Sequence, residues 1–108
     1  MLPKKNRADK KALDKIFKEG KFFTFPDLTF KFLLEKNSKP SRISFIVPKT
    51  VAKKAVTRNS LRRKGYIALE PYISQFPLGL TGAFVFKKLV SDTLIIQNEI
   101  KNILNKLN

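Results

Sequence analysis

The 108-residue chain contains no cysteine and no histidine. The first absence excludes a disulfide framework and any zinc–thiolate site. The second removes the commonest general base and the commonest metal ligand. Acidic residues are scarce: eight Asp and Glu stand against 23 Lys and Arg. The few carboxylates are unclustered, and Asp9 and Asp14 are too widely spaced on a helix to share a metal. The parts for protein-based hydrolytic or metal-assisted catalysis are therefore lacking. Nothing approaches the roughly 18 apolar residues of a membrane span. The basic start, Met1 to Arg7, is not followed by the apolar run of a signal peptide. A soluble, cytoplasmic protein is expected.

What is present is a core and a great deal of positive charge. Hydrophobic residues make up 43% of the chain, ten of them phenylalanine, enough for one domain spanning residues 1–108. The formal net charge is +15. Such an excess repels itself in the compact state and calls for a polyanionic partner, nucleic acid before an anionic membrane. The charge is also lopsided: residues 1–64 hold 19 basic and 5 acidic side chains, residues 65–108 only 4 and 3. Between Glu35 and Glu70 lie ten Lys or Arg and no carboxylate. Solubilising charge is interspersed by sign, so this distribution describes a patch.

Periodicity gives a single α+β domain with no internal repeat. Residues 1–8 are expected to form a flexible basic arm. Residues 9–20 read as a helix: Asp9 caps it, Ala12, Leu13, Ile16 and Phe17 recur at helical spacing, and Gly20 suits a C-terminal cap. "KFFTF" (21–25) is a short strand stopped by Pro26-Asp27. In 28–35, Leu28, Phe30, Phe32 and Leu34 alternate with Thr29, Lys31, Leu33 and Glu35. In 42–49, Ile43, Phe45 and Val47 oppose Ser44 and Ile46. Each of these two strands thus has one apolar and one mixed face, and a covered mixed face in a basic protein is a candidate groove. A helix follows from about Lys54 to Tyr72, with Gly65 inside it costing roughly 1 kcal/mol relative to Ala. "FPLGLTG" (76–82) reads as loop and "AFVFKKL" (83–89) as a buried strand. Residues 91–108 form an amphipathic helix capped by Ser91 or Asp92, with Ile96, Ile100, Ile103 and Leu107 as its stripe.

The helix within "AVTRNSLRRKG" (55–65) is studded with cations. Positions four apart share a face, so Arg58 and Arg62 align, with Asn59 and Arg63 on the adjacent line and Lys54 extending the stripe. A solvated face usually mixes Lys with Glu. Arginine instead offers a planar multi-donor fork that fits phosphate and stacks on bases, and the Asn59 amide can both donate and accept. Lys49, Lys53 and Lys54, before and at the first turn, are placed to touch phosphates without reading sequence.

The run Ala55-Val56-Thr57-Arg58-Asn59-Ser60-Leu61-Arg62-Arg63 resembles the motif of the protein subunit of bacterial ribonuclease P. The resemblance extends to "LPKKNR", "IFKEGKFF", the strand "RISFIVPK", the last apolar strand and the closing helix, which is nearly the whole chain in order. Four positions depart from it. Ser60 and Tyr66 stand where that family usually carries cations, and Gly65 where a helix former is usual. Leu13 replaces one of two aromatics in the first helix.

The resemblance implies a two-layer sandwich of order αβββαβα, with a left-handed βαβ crossover that runs against the general rule. It also implies a protein cofactor, inactive alone, of an RNA catalyst. That RNA removes the 5′ leader of precursor tRNA by magnesium-dependent hydrolysis, the ion being held mainly by the RNA. Lys49, Lys53, Lys54, Arg58, Asn59, Arg62 and Arg63 would then bind the catalytic RNA. The single-stranded leader would lie between the first helix and the sheet, on Phe17, Thr29, Lys31, Ser44 and Ile46. A cationic groove with an aromatic platform is what sequence-tolerant single-strand binding needs. Charge and size suit a structural RNA-binding protein, ribosomal or chaperone-like, equally well. A membrane-surface role fits poorly, because the apolar residues alternate as in an interior and no basic amphipathic helix dominates.

Overall fold

The computed structural model describes residues 6–107. Along the chain come α1 (Lys10–Glu19), β1 (Lys21–Thr24), β2 (Leu28–Leu34), β3 (Arg42–Ile46), α2 (Ala55–Leu69), β4 (Leu80–Phe86) and α3 (Thr93–Leu107). The order αβββαβα is the expected one. The strands form one sheet in the order β1-β2-β4-β3. β1, β2 and β4 pair antiparallel, whereas β3 runs parallel to β4 and reaches it through α2.

The alternation along each strand assigns the two faces of the sheet. The register sets Phe30 beside Phe84 and Phe84 beside Phe45, an aromatic row across β2, β4 and β3. Ring centroids are 4.5 Å apart for Phe30–Phe84 and 5.0 Å for Phe45–Phe84. Phe32 and Phe86 extend this layer, and all five of these phenylalanines are buried there. From above, Leu61, Ala68 and Leu69 of α2 and Ile96, Ile100 and Ile103 of α3 close it. On the opposite face lies α1, whose one fully buried residue, Ile16, stands outside the main core cluster. The expected two-layer sandwich is therefore the sheet with α2 and α3, and α1 crosses the other side.

The ends of the elements follow local chemistry. The Asp9 carboxylate accepts the Ala12 N–H at 2.8 Å and caps α1 as expected. Gly20 ends α1 with φ −73°, so it does not make the left-handed cap; it passes straight into β1. The Asp92 carboxylate accepts the Leu94 N–H at 2.9 Å, which selects Asp92 over Ser91 at the start of α3. α2 ends at Leu69, sooner than expected, and Glu70–Gln75 continue as a 3₁₀ turn because Pro71 has no N–H to extend the α-helical ladder. β4 begins at Leu80, inside the stretch read as loop.

α2 runs unbroken through Gly65 because of what lies beneath it. A Cβ there would fall 2.5 Å from Cδ1 of the Phe45 ring. The next residue, Tyr66, is buried edge-on against that ring, with centroids 5.2 Å apart. Its hydroxyl accepts the Phe45 N–H of edge strand β3 at 3.3 Å. Two of the departures, Gly65 and Tyr66, are thus one packing solution around Phe45, and Tyr66 does not face a partner as a surface cation would.

Candidate nucleic-acid interface

Two surfaces carry the residues singled out in the sequence. On α2 and the loop before it, Lys49, Lys53, Lys54, Asn59 and Arg63 are exposed, and Arg58, Arg62 and Lys64 are half-buried. The ion pairs Lys15–Glu35, Arg42–Asp9 and Lys88–Asp27 all lie outside this helix. Arg58 does not simply extend the stripe. Its Nη1 donates to the carbonyls of Ala52 and Lys53 at 3.0 and 2.7 Å, closing the turn that leads into α2. Lys54, at the N-cap position, makes no side-chain cap bond; the Arg58 bonds fix the carbonyls of the entering loop and leave the first-turn N–H groups without a side-chain cap from Lys54. Arg62 donates to the Asn59 carbonyl oxygen, which orients both side chains. Arg7, Asn59, Arg62, Arg63 and Tyr66 together line a cleft of about 320 Å³.

The second surface is the sheet face under α1. Pairing places Ile46, Val85, Thr29 and Thr24 in one row across the four strands, and Ser44, Ala83, Lys31 and Phe22 in the next. Phe17, on the rim of α1, is 45% exposed, and the Lys31 ammonium stands 4.9 Å from its ring centroid. Thr29, Lys31 and Ile46 are half-buried, as a cleft floor requires. Ser44 is a correction. It is 7% exposed, and its hydroxyl accepts from the Ala8 N–H and donates to the Ala8 carbonyl, both at 3.0 Å. The chain entering α1 covers it, so it is no part of the open floor.

That same contact revises the expected flexible arm. Residues 6–8 are strapped along β3, with the Asn6 amide also donating to the Ser41 carbonyl at 3.0 Å. Residues 1–5 lie outside the described residues. Sequence reasoning missed Phe22, Thr24 and Val85 on the open face; Phe22 is 63% exposed. Alternation in "KFFTF" held the signal, since Phe22 and Thr24 must face away from Phe23 and Phe25.

Four of the carboxylates are engaged away from α2. Asp9 caps α1, Glu35 pairs with Lys15 at 3.2 Å, and Asp27 pairs with Lys88 at 3.3 Å. Glu99 is buried, and its Oε1 accepts the N–H groups of Asp27 and Leu28 at 3.3 and 3.0 Å. Burial, and then the neighbouring Asp27 carboxylate, push the Glu99 carboxyl up to about 7. Asp27 is held below its ordinary value, chiefly by the hydrogen bond from Glu99 and also by Lys88. Among the described residues no three acidic side chains converge. Nor is any described helix long and apolar enough to cross a membrane.

A parallel β3–β4 pair bridged by a basic helix, with a lysine-and-aromatic cleft on the other face, defines a class of small basic α+β proteins already seen in solved structures. The fold matches the ribonuclease P protein of Thermotoga maritima with a TM-score of 0.80 and 21% identity, covering 94% of this chain and 97% of that one. It matches the Staphylococcus aureus ribonuclease P protein with a TM-score of 0.77 and 22% identity, covering 95% and 98%. In sequence the chain is 30% identical over 109 residues to the ribonuclease P protein component of a Pseudanabaena species, covering 98% of this chain and 94% of that protein. Residues 2–108 match the ribonuclease P family. The chain belongs to the protein-subunit family of bacterial ribonuclease P.

Proposed function

We propose that this protein is the RNA-binding, substrate-holding subunit of a cytoplasmic ribonuclease P ribonucleoprotein. The α2 face, with Asn59, Arg62 and Arg63 at its centre and Lys49, Lys53 and Lys54 at its entry, docks on the catalytic RNA. Arg58 supports that face by closing the loop before it, and its remaining donors are available to phosphate. The 5′ leader of precursor tRNA runs through the cleft bounded by Phe17 and floored by Lys31, Thr29 and Ile46. Hydrolysis to the mature 5′ end belongs to the RNA and its magnesium; the protein contributes affinity and position, and alone it is inactive.

The observation that carries this reading is the pairing of Phe17 with Lys31. A large aromatic ring left 45% exposed, with an ammonium 4.9 Å from its centroid, has little structural value on a surface. It has a direct use as a base-stacking platform beside a phosphate-attracting charge, each stack contributing about 1–3 kcal/mol. The deciding experiment is cleavage of a 5′-extended precursor tRNA by a bacterial ribonuclease P RNA at limiting magnesium, with and without this protein. Protein-dependent cleavage at the mature 5′ end is expected. Tight RNA binding without stimulation of the cognate RNA would point instead to a structural RNA-binding protein.

A further inference from the structure

The contact between the N-terminal segment and α2 is not accounted for by the reading above. Arg7 is held from both sides, by the Asn6 bond to Ser41 and by the two bonds between Ala8 and Ser44. This strapping carries its side chain to α2, into the cleft with Asn59, Arg62, Arg63 and Tyr66. There the Arg7 Nε is buried with no hydrogen-bond partner among the described residues. Buried polar groups are nearly always paired, and this Nε, closed off from solvent by the protein, gains an acceptor from outside when the Arg7 side chain shifts toward the cleft as a ligand enters.

The lining identifies that acceptor. Three guanidinium groups, one amide and one phenol converge, with no carboxylate among them. Asp9 lines the adjoining cleft beside Arg7, but its carboxylate already accepts the Ala12 N–H and lies 4.0 Å from Arg42. Three like charges brought together repel one another unless an anion sits between them. The planar donor fork of arginine matches the oxygens of a phosphate, and an RNA backbone is the polyanion that the charge of this face calls for. The volume of about 320 Å³ far exceeds the roughly 30 Å³ of one water.

We infer that Arg7, Asn59, Arg62 and Arg63 form one phosphate-binding subsite, in which a single phosphate group joins the N-terminal segment to α2. On the reading of α2 as the RNA face, on which this rests, the ligand is a backbone phosphodiester of the RNA. Because Arg7 is one residue from the Ala8–Ser44 contact, the same phosphate fixes the segment that leads into α1 and borders the leader cleft.

The test has two parts. In the first, the ¹⁵N-labelled full-length protein is titrated with inorganic phosphate, and separately with a short 5′-hydroxyl RNA oligonucleotide whose phosphates are all internal diesters. The Arg7 Nε–H resonance should move with the oligonucleotide. Movement with inorganic phosphate alone would keep the phosphate site but assign it to a free or terminal phosphate, and no movement with either overturns it. In the second, affinity for ribonuclease P RNA is measured for Arg7→Ala, Arg63→Ala and the double variant, with thermal unfolding checking that each is folded. Each single change should weaken binding about tenfold, the scale of a charge-assisted hydrogen bond. The double change should fall short of the product, because the two residues share one partner. Arg7→Lys, which keeps the charge but not the fork, should lose most of the affinity, and Lys36→Ala on the β2–β3 loop little. Equal losses for Arg7→Ala and Lys36→Ala, or strictly multiplicative losses at Arg7 and Arg63, overturn the subsite. A wild-type protein that fails to bind the RNA overturns the broader function instead, and the phosphate titration still decides the subsite.

Discussion

The two faces of the sheet are built from the same strands and treat their side chains in opposite ways. Leu28, Phe30, Ile43, Leu80 and Phe84 on one face are fully buried beneath α2 and α3. On the other, Thr29, Lys31, Ile46 and Val85 remain half-accessible, since α1 crosses only part of the face and buries one residue, Ile16. Folding free energy therefore resides on the closed face. The open face is left free to carry binding chemistry, because removing a half-exposed side chain there creates no cavity.

The largest expected effect sets the faces directly against each other. Phe84→Ala empties a fully buried site between Phe30 and Phe45 and should lower stability by about 3–5 kcal/mol. Phe17→Ala, across the sheet on the α1 rim, should change stability by no more than about 0.5 kcal/mol. Its effect should appear in affinity for leader-bearing precursor tRNA, with little change for mature tRNA. Urea unfolding and paired binding titrations read both. A Phe17 variant that unfolds like the Phe84 variant would erase the distinction between the faces.

Gly65→Ala sharpens the comparison, because helix propensity and packing disagree on its sign. Propensity alone makes alanine the better residue by about 1 kcal/mol. The new methyl, however, would collide with the Phe45 ring, which is stacked on Phe84 and edged by Tyr66 and has nowhere to move. Overpacking of this kind costs about 1–3 kcal/mol. Net destabilisation in urea is expected, and a stabilised variant would mean that the closed face is looser than its geometry states.

The same glycine shows what was legible in the sequence. Strand alternation exposes both faces of the sheet, the core phenylalanines and the mixed residues Thr29, Lys31 and Ile46, because period-two patterning is a local property. The αβββαβα order and the cationic α2 are local too. What escaped depends on contacts between distant segments. Gly65 reads as a weakness until Phe45 lies beneath it. Thr81 and Gly82 read as loop, yet Gly82 belongs to β4 and leaves room for the Phe30 ring, 2.7 Å from where a Cβ would be. Ser44 reads as cleft floor by alternation alone, and only the return of Ala8 across β3 covers it. Arg58 looks equivalent to Arg62 at helical spacing, but it turns back to the carbonyls of Ala52 and Lys53.

The smallest expected effect concerns Glu99, the one carboxylate among the described buried residues. It closes the β1–β2 turn from α3, and its carboxyl is raised from an ordinary 4.5 to about 7, by burial first and by Asp27 second. A raised acid holds its proton in the native state after the unfolded chain has released it. Its stabilising contribution is therefore complete below about 4.5 and is lost as the pH rises through about 7. Asp27, lowered, acts in the opposite sense, and its contribution is lost only as the pH falls through its depressed value. Between pH 5 and pH 7 the slope belongs to Glu99. Glutamine keeps an acceptor oxygen for the Asp27 and Leu28 N–H groups and can donate to the Asp27 carboxylate, so Glu99→Gln mimics the protonated form. Urea midpoints should decline from pH 5 to pH 7 in the wild type and stay more nearly level in the variant, while affinity for precursor tRNA on the open face is unchanged. An identical slope in both proteins would remove Glu99 as its source, and a shift in leader affinity would show that the two faces are not independent.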